Sequence, residues 1–234
     1  MKHIKYYRLL ITVIFLSLSF SCSHDKFDEI DTDPNNPTSV PVEYILPTAE
    51  VKLFNDFFGH ATSHAISTYV EHTCNIHPEQ MDIVRKTGIF HTGYSLLQDC
   101  KLIIELGTDE NLWHHVGMAQ VIQAITLGTL TEIFGDIPWT EALQGSDNRS
   151  PKYDSQESIY NAIFTMLDEA IANFSKASLR NPGNYDLLLK GNIDMWEKVA
   201  WGIKARFHNR LSNIDPSGSA SAALAAVSNS FTSP

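Results

Sequence analysis

Side chains suited to recognition or catalysis gather in three places. Between Tyr69 and Tyr94 the chain offers Tyr69, His72, Asn75, Gln80, Asp82, Arg85 and Tyr94 around a stretch with no clear period. Aromatic rings suit the C–H faces of a sugar, and amide, carboxylate and guanidinium groups suit its hydroxyl edges. This makes the stretch the better candidate for ligand contact. The plainer reading is a polar surface loop with core tyrosines at its ends, since most loop residues bind nothing. The second place is the turn Gly135-Asp136-Ile137-Pro138-Trp139. Gly135 can take a left-handed helix cap, and Pro138 fixes the exit direction. Trp139 is then either a plug over the helix ends or an exposed face for a sugar ring, and the plug is favoured. Glu132, Asp136 and Glu141 flank this turn, and a glycosidase needs two carboxyls about 5–10 Å apart. Acids at helix ends are unremarkable in a chain with 27 of them. With no GxSxG, P-loop or GxGxxG in the sequence, no enzyme is expected. The histidines are the third place. His60 and His64 share a face if helical, with His72, Cys74 and His77 nearby, a spacing that suits zinc. There is no HExxH, and His114 and His115 point in different directions on a helix. Neither metal nor cofactor is expected.

Cys22 raises a different chemistry. Lys2, Lys5 and Arg8 precede an apolar run, Leu9 to Phe20, too short to span a ~30 Å hydrocarbon core. Such a basic start, short apolar run and small-residue exit predict a signal peptide over 1–21. Ser19-Phe20-Ser21 before Cys22 resembles a bacterial lipobox, which implies a fatty-acylated thiol on Cys22. The acidic run Asp25, Asp28 and Glu29 resembles the surface-export signal of Bacteroidetes lipoproteins. Together they place the chain, lipid-anchored, on the outer face of the outer membrane. Stable anchoring needs more than one acyl chain, which a lipoprotein anchor supplies. The alternative is an ordinary leader with an incidental cysteine. Of the other thiols, Cys74 and Cys100 either pair in the oxidising compartment or stay buried and free.

The elements that must position these groups are helices. Residues 22–43, with Pro34, Pro37 and Pro41 among acids, read as a solvated tether. From 44 to 234 apolar residues recur at three- and four-residue intervals. The pattern predicts helices from Tyr44 to Phe58, Ala61 to Val70, Phe90 to Leu106 with a break at "GTDEN", and Leu112 to Phe134. It continues with Ile159 to Phe174, opened by a capping box of Asp154 and Glu157, and Trp196 to Leu211, capped at Asp194 and stopped by Pro216. A last helix spans Ser219 to Val227. Strand alternation is nearly absent, so the fold class is all-α, built of TPR-like stacked helix pairs with irregular insertions. After the leader, ~210 residues suffice for one core. The net charge of −10 becomes more acidic once the basic leader is removed. Such a surface repels phosphate backbones and excludes nucleic acid as a partner.

Three stretches in order carry a resemblance: "LTEIFGDIPWTEALQG", "PKYDSQESIYNAIFTMLDEAI" and "GNIDMWEKVAWGIKARFHNRLS", after "DPNNPT". The chain resembles the SusD/RagB-type nutrient-binding outer-membrane lipoproteins across the whole segment after the leader. The resemblance implies an all-α scaffold, no bond-breaking chemistry, and a ligand that is an oligosaccharide or, in some members, a peptide. It implies a SusC-like TonB-dependent transporter as partner, with the lipoprotein as its lid. In that family the insertion before the helix around Tyr94 often reaches the ligand. The family's chains run longer, so this one is read as the N-terminal part. The rival reading is a helical-repeat scaffold that binds only proteins.

Overall fold

The computed structural model describes residues 40–63, 66–67, 70, 72 and 87–231. The chain divides into the units Met1–Val40 and Pro41–Pro234, and the second carries the fold. The leader, Cys22 and most of the tether lie outside the described residues. Helix α1 (Val42–Val51) runs on as a π-helical segment (Lys52–Thr62). Then come α2 (Thr87–Asp109), α3 (Trp113–Phe134), α4 (Gln156–Phe174), α5 (Ile193–Arg210) and α6 (Pro216–Val227). Among the described residues there is no strand, only an isolated antiparallel bridge between Ile137 and Asp154.

Helix α3 is the axis. From His115 to Thr131 every residue is buried, and α1, α2, α4 and α5 all pack on it. Its length and composition would allow a membrane crossing, but its apolar surface is covered by neighbouring helices. A helix apolar all round is stable in water only as such a core. The hydroxyls it buries satisfy themselves: Thr126 and Thr129 donate to the carbonyls of Ile122 and Ile125, both at 2.8 Å. Close approach needs a glycine at Gly128, where a Cβ would lie 2.2 Å from the Phe207 ring of α5.

Consecutive helices from α2 to α6 pack side by side, as the expected stacked pairs require. The stripe Ile159, Ile163, Leu167, Ile171 and Phe174 faces the core, as does Trp196, Val199, Ala200, Ile203, Phe207 and Leu211. Several boundaries differ from the sequence expectation. No break separates Phe58 from Ala61, because the π-helical segment carries the chain through. Ile66 and Val70, expected on a buried stripe, are 41% and 48% exposed. Helix α2 continues through Gly107 to Asp109 and turns at Asn111, whose φ is 56°. Helix α4 is capped by Ser155, whose hydroxyl accepts from the Ser158 amide, because Asp154 is engaged elsewhere. Asn192, not Asp194, caps α5. Pro216 does not end α5. It opens α6, where its missing amide costs nothing, and Asp215 caps the turn.

A buried carboxylate organises the loop before α5. Asp186 is fully buried and accepts from the amides of Leu188, Leu189 and Gly191 at 3.0, 3.0 and 2.7 Å, and from the Trp196 indole at 2.8 Å. Burial alone would raise its pKa, but these donors outweigh it and hold the group below the ordinary range. Glu50 of α1 lies beside it, 1% exposed, and accepts from the Leu187 amide at 2.8 Å. Its other oxygen meets no donor. Burial first, and the neighbouring Asp186 after it, push Glu50 up to about 8, so it keeps its proton at neutral pH. On α3, His115 is fully buried with neither ring nitrogen bonded, and burial pulls it down to about 4. His114 turns the other way, its Nε2 3.2 Å from the Lys176 carbonyl oxygen. Cys100 is a buried free thiol in α2, and Cys74 lies outside the described residues.

Candidate functional site

The turn after α3 is a mutual clamp. Gly135 takes φ 75°, and Thr131 holds it from both ends: the Gly135 amide donates to the Thr131 carbonyl at 2.9 Å, and the Thr131 hydroxyl donates to the Gly135 carbonyl at 2.7 Å. Asp136 accepts from the Gln156 amide at 2.9 Å and so closes the start of α4. Asp154 gathers the amides of Trp139 and Thr140 at 2.9 and 2.8 Å and the Thr140 hydroxyl at 2.9 Å. Burial pushes the Asp154 carboxyl up, but those donors win and hold it below its usual range. Glu141 pairs with Lys152 at 3.2 Å. The acids of "FGDIPWTEA" and "PKYDSQE" therefore tie the two segments to each other.

Two of the sequence-nominated residues belong to this clamp. Tyr94 lies within α2, half-buried, and its hydroxyl donates to the Pro138 carbonyl. Its ring packs on Phe90, with centroids 4.5 Å apart. Trp139 is partly buried and rests against the hydrophobic core. The structure thus brings Tyr94 and the Trp139 turn together through Pro138. His72 is exposed and lines a different place. Tyr69, Asn75, Gln80, Asp82 and Arg85 lie outside the described residues, as do His64 and His77. Among the described residues no three His, Cys, Asp or Glu side chains converge as a metal set.

His72 lines a cavity of about 450 Å³ between the end of the π-helical segment and helices α3 and α5. Its size falls in the range of small-ligand sites. Phe58, Ile66, Val70 and Ile133 give it apolar walls, and Thr62, Ser63 and Thr129 bring hydroxyls. Glu132, Arg206 and Arg210 form its charged side. Arg206 Nη2 lies 3.5 Å from Glu132 Oε2, and Arg210 Nε lies 3.3 Å from Glu132 Oε1. Tyr160 donates to Glu132 Oε1 at 3.4 Å. Burial, then Glu132, raise the Tyr160 phenol to about 12, so it stays protonated as a donor. Apolar wall, hydroxyls and paired guanidiniums can hold a ring that is apolar on one face and polar at its edge. Of the polar groups lining it, the sequence nominates His72 as a ligand contact and Glu132 as a carboxylate beside the turn. The signal for the arginines was their spacing, four residues apart on one face of a helix in an acidic chain.

The architecture is an all-α stack of TPR-like pairs with a clamped turn and a lateral cavity. The family model described as starch-binding associating with outer membrane matches residues 34–233, and the chain belongs to this SusD-like family. Among solved structures, a SusD/RagB family protein from Bacteroides thetaiotaomicron is 30% identical with a TM-score of 0.72, over 83% of this chain and 44% of its own. A chitin-binding protein is 25% identical with a TM-score of 0.66, over 82% and 44%. A chitin-binding SusD homologue from Flavobacterium johnsoniae is 23% identical with a TM-score of 0.53, over 60% and 30%, and shares the fold. The chain spans less than half the length of these relatives. No curated protein matches it.

Proposed function

We propose that this chain is a cell-surface lipoprotein that binds an oligosaccharide and delivers it to a SusC-like TonB-dependent transporter in the outer membrane. In this reading residues 1–21 are the leader, Cys22 carries the acyl chains, 22–43 are the tether, and 44–234 are the N-terminal part of the binding body. The observation that carries it is the family match along nearly the whole segment after the leader, to a family described as starch-binding and outer-membrane associated. A relative named as chitin-binding supports a glycan over a peptide. In this reading the chain binds without breaking bonds, which is supported by Asp136, Glu141 and Asp154 each being engaged in holding the turn.

Affinity electrophoresis on neutral and charged polysaccharides tests the binding. Retardation by at least one glycan is expected, and migration unchanged on every glycan refutes it. Mass spectrometry of membrane-extracted protein tests the anchor, since a mature terminus elsewhere than Cys22 or without fatty acid overturns it. Pull-down from native membranes tests the transporter, and repeated absence of a large β-barrel removes that partner.

A further inference from the structure

We propose that the cavity beside α3 and α5 selects a saccharide bearing an anionic group, a carboxylate or a sulfate ester, through Arg206 and Arg210. This deepens the glycan-binding reading above and rests on it. The chain is strongly acidic, at −10, yet among the described residues this cavity is lined by two guanidiniums and one carboxylate. Glu132 does not consume them. Its contacts, 3.5 and 3.3 Å, are long beside the ~2.8 Å of a committed charge-assisted pair. Each guanidinium carries several N–H donors in a planar fork, and Glu132 is the one anion within reach of either among the described residues. The side chains of Arg206 and Arg210 stay 37% and 56% exposed, open to a ligand from solvent.

A second, independent observation points to a ligand at the same place. Thr62 lines the cavity, is 3% exposed, and its hydroxyl has no hydrogen-bond partner among the described residues. A buried hydroxyl without a partner is costly, and a sugar hydroxyl would relieve it once the cavity wall yields enough to uncover it. Thr62 is the last residue of the π-helical segment, and Ser63 and Ile66 after it line the same cavity. Phe58 and Ile133 provide the apolar surface on which a ring's C–H face can rest. A neutral sugar would use the hydroxyl and the wall but leave both guanidiniums with only their long contacts to Glu132. An anionic sugar uses all three.

The test is calorimetric titration of the full chain with tri-galacturonate, its methyl ester, and a sulfated galactan oligosaccharide, beside neutral maltotriose and chitotriose. Tri-galacturonate or the sulfated ligand should bind at least about tenfold tighter than the ester, with the gap closing at high salt. The two charged arms tell carboxylate from sulfate. Arg210→Ala should cost about tenfold in affinity for the charged ligand, and Thr62→Val about threefold with the charge preference kept. Glu132→Gln should tighten it, a result that a purely structural ion pair would not give. If Arg210→Ala fails to fold by circular dichroism, Thr62→Val and Glu132→Gln decide. Equal binding of the ester and the acid, or weaker binding by Glu132→Gln, overturns the proposal. Binding of the neutral sugars alone overturns it while leaving the glycan-binding reading intact. Binding of none overturns both.

Discussion

Replacing Glu50 by Gln should stabilise the protein at neutral pH. The folded Glu50 keeps its proton to about 8, against 4.5 in its ordinary state. A raised pKa on an acid means that its contribution is fully present below 4.5, falls as pH rises, and is gone above about 8. Each pH unit in that window costs about 1.4 kcal/mol, so by pH 7 the wild type has lost about 3 kcal/mol. Lys190 pulls the other way but is outweighed. Glutamine is neutral at every pH, can still accept from the Leu187 amide, and can donate its amide to Asp186, so it escapes the loss. His115 shapes the same curve. Its pKa is lowered from 6.5 to about 4, so its contribution is present above 6.5 and lost as pH falls toward 4. Between 4.5 and 6.5 the two slopes oppose each other in the wild type. The clean readout is therefore the difference between the two proteins, from urea denaturation at half-unit steps of pH from 4.5 to 8.5. That difference should grow in favour of Glu50→Gln by about 3 kcal/mol between pH 4.5 and 7 and level off above about 8. A difference constant across this range would refute the protonated Glu50 beside a charged Asp186.

Other outcomes follow from the same contacts. His115→Gln should remove the stability loss on acidification from pH 6.5 toward 4, worth up to about 3 kcal/mol in the same urea assay. Asp154→Ala strips acceptors from the Trp139 and Thr140 amides and should lower stability by about 2–3 kcal/mol, read as a lower urea midpoint with unchanged slope. Gly128→Ala should destabilise by about 1–3 kcal/mol by driving a Cβ into Phe207, and Phe207→Leu in the same chain should recover part of that loss, read by thermal melting.

The sequence by itself determined the class of fold and the family. Apolar residues at three- and four-residue spacing can bury only one face of a helix, so the stripes of α4 and α5 could be read before any packing was known. The order of the turn motifs was legible for the same reason: each is a short local device. Tertiary structure decided which polar group serves which partner. Asp154 looks like a helix cap until the Trp139 and Thr140 amides are seen to claim it, and Ser155 caps in its place. Pro216 reads as a stop and proves to be a start, because proline suits either role and only the path of the chain distinguishes them. Tyr94 reads as a ligand contact, and only the packed structure shows that its hydroxyl donates to the Pro138 carbonyl. Glu132 stands more than seventy residues from Arg206 and Arg210 along the chain, and Thr62 lies seventy residues before Glu132. No local pattern could join them, because a cavity is made by where helices cross, and crossing is a property of the packed core.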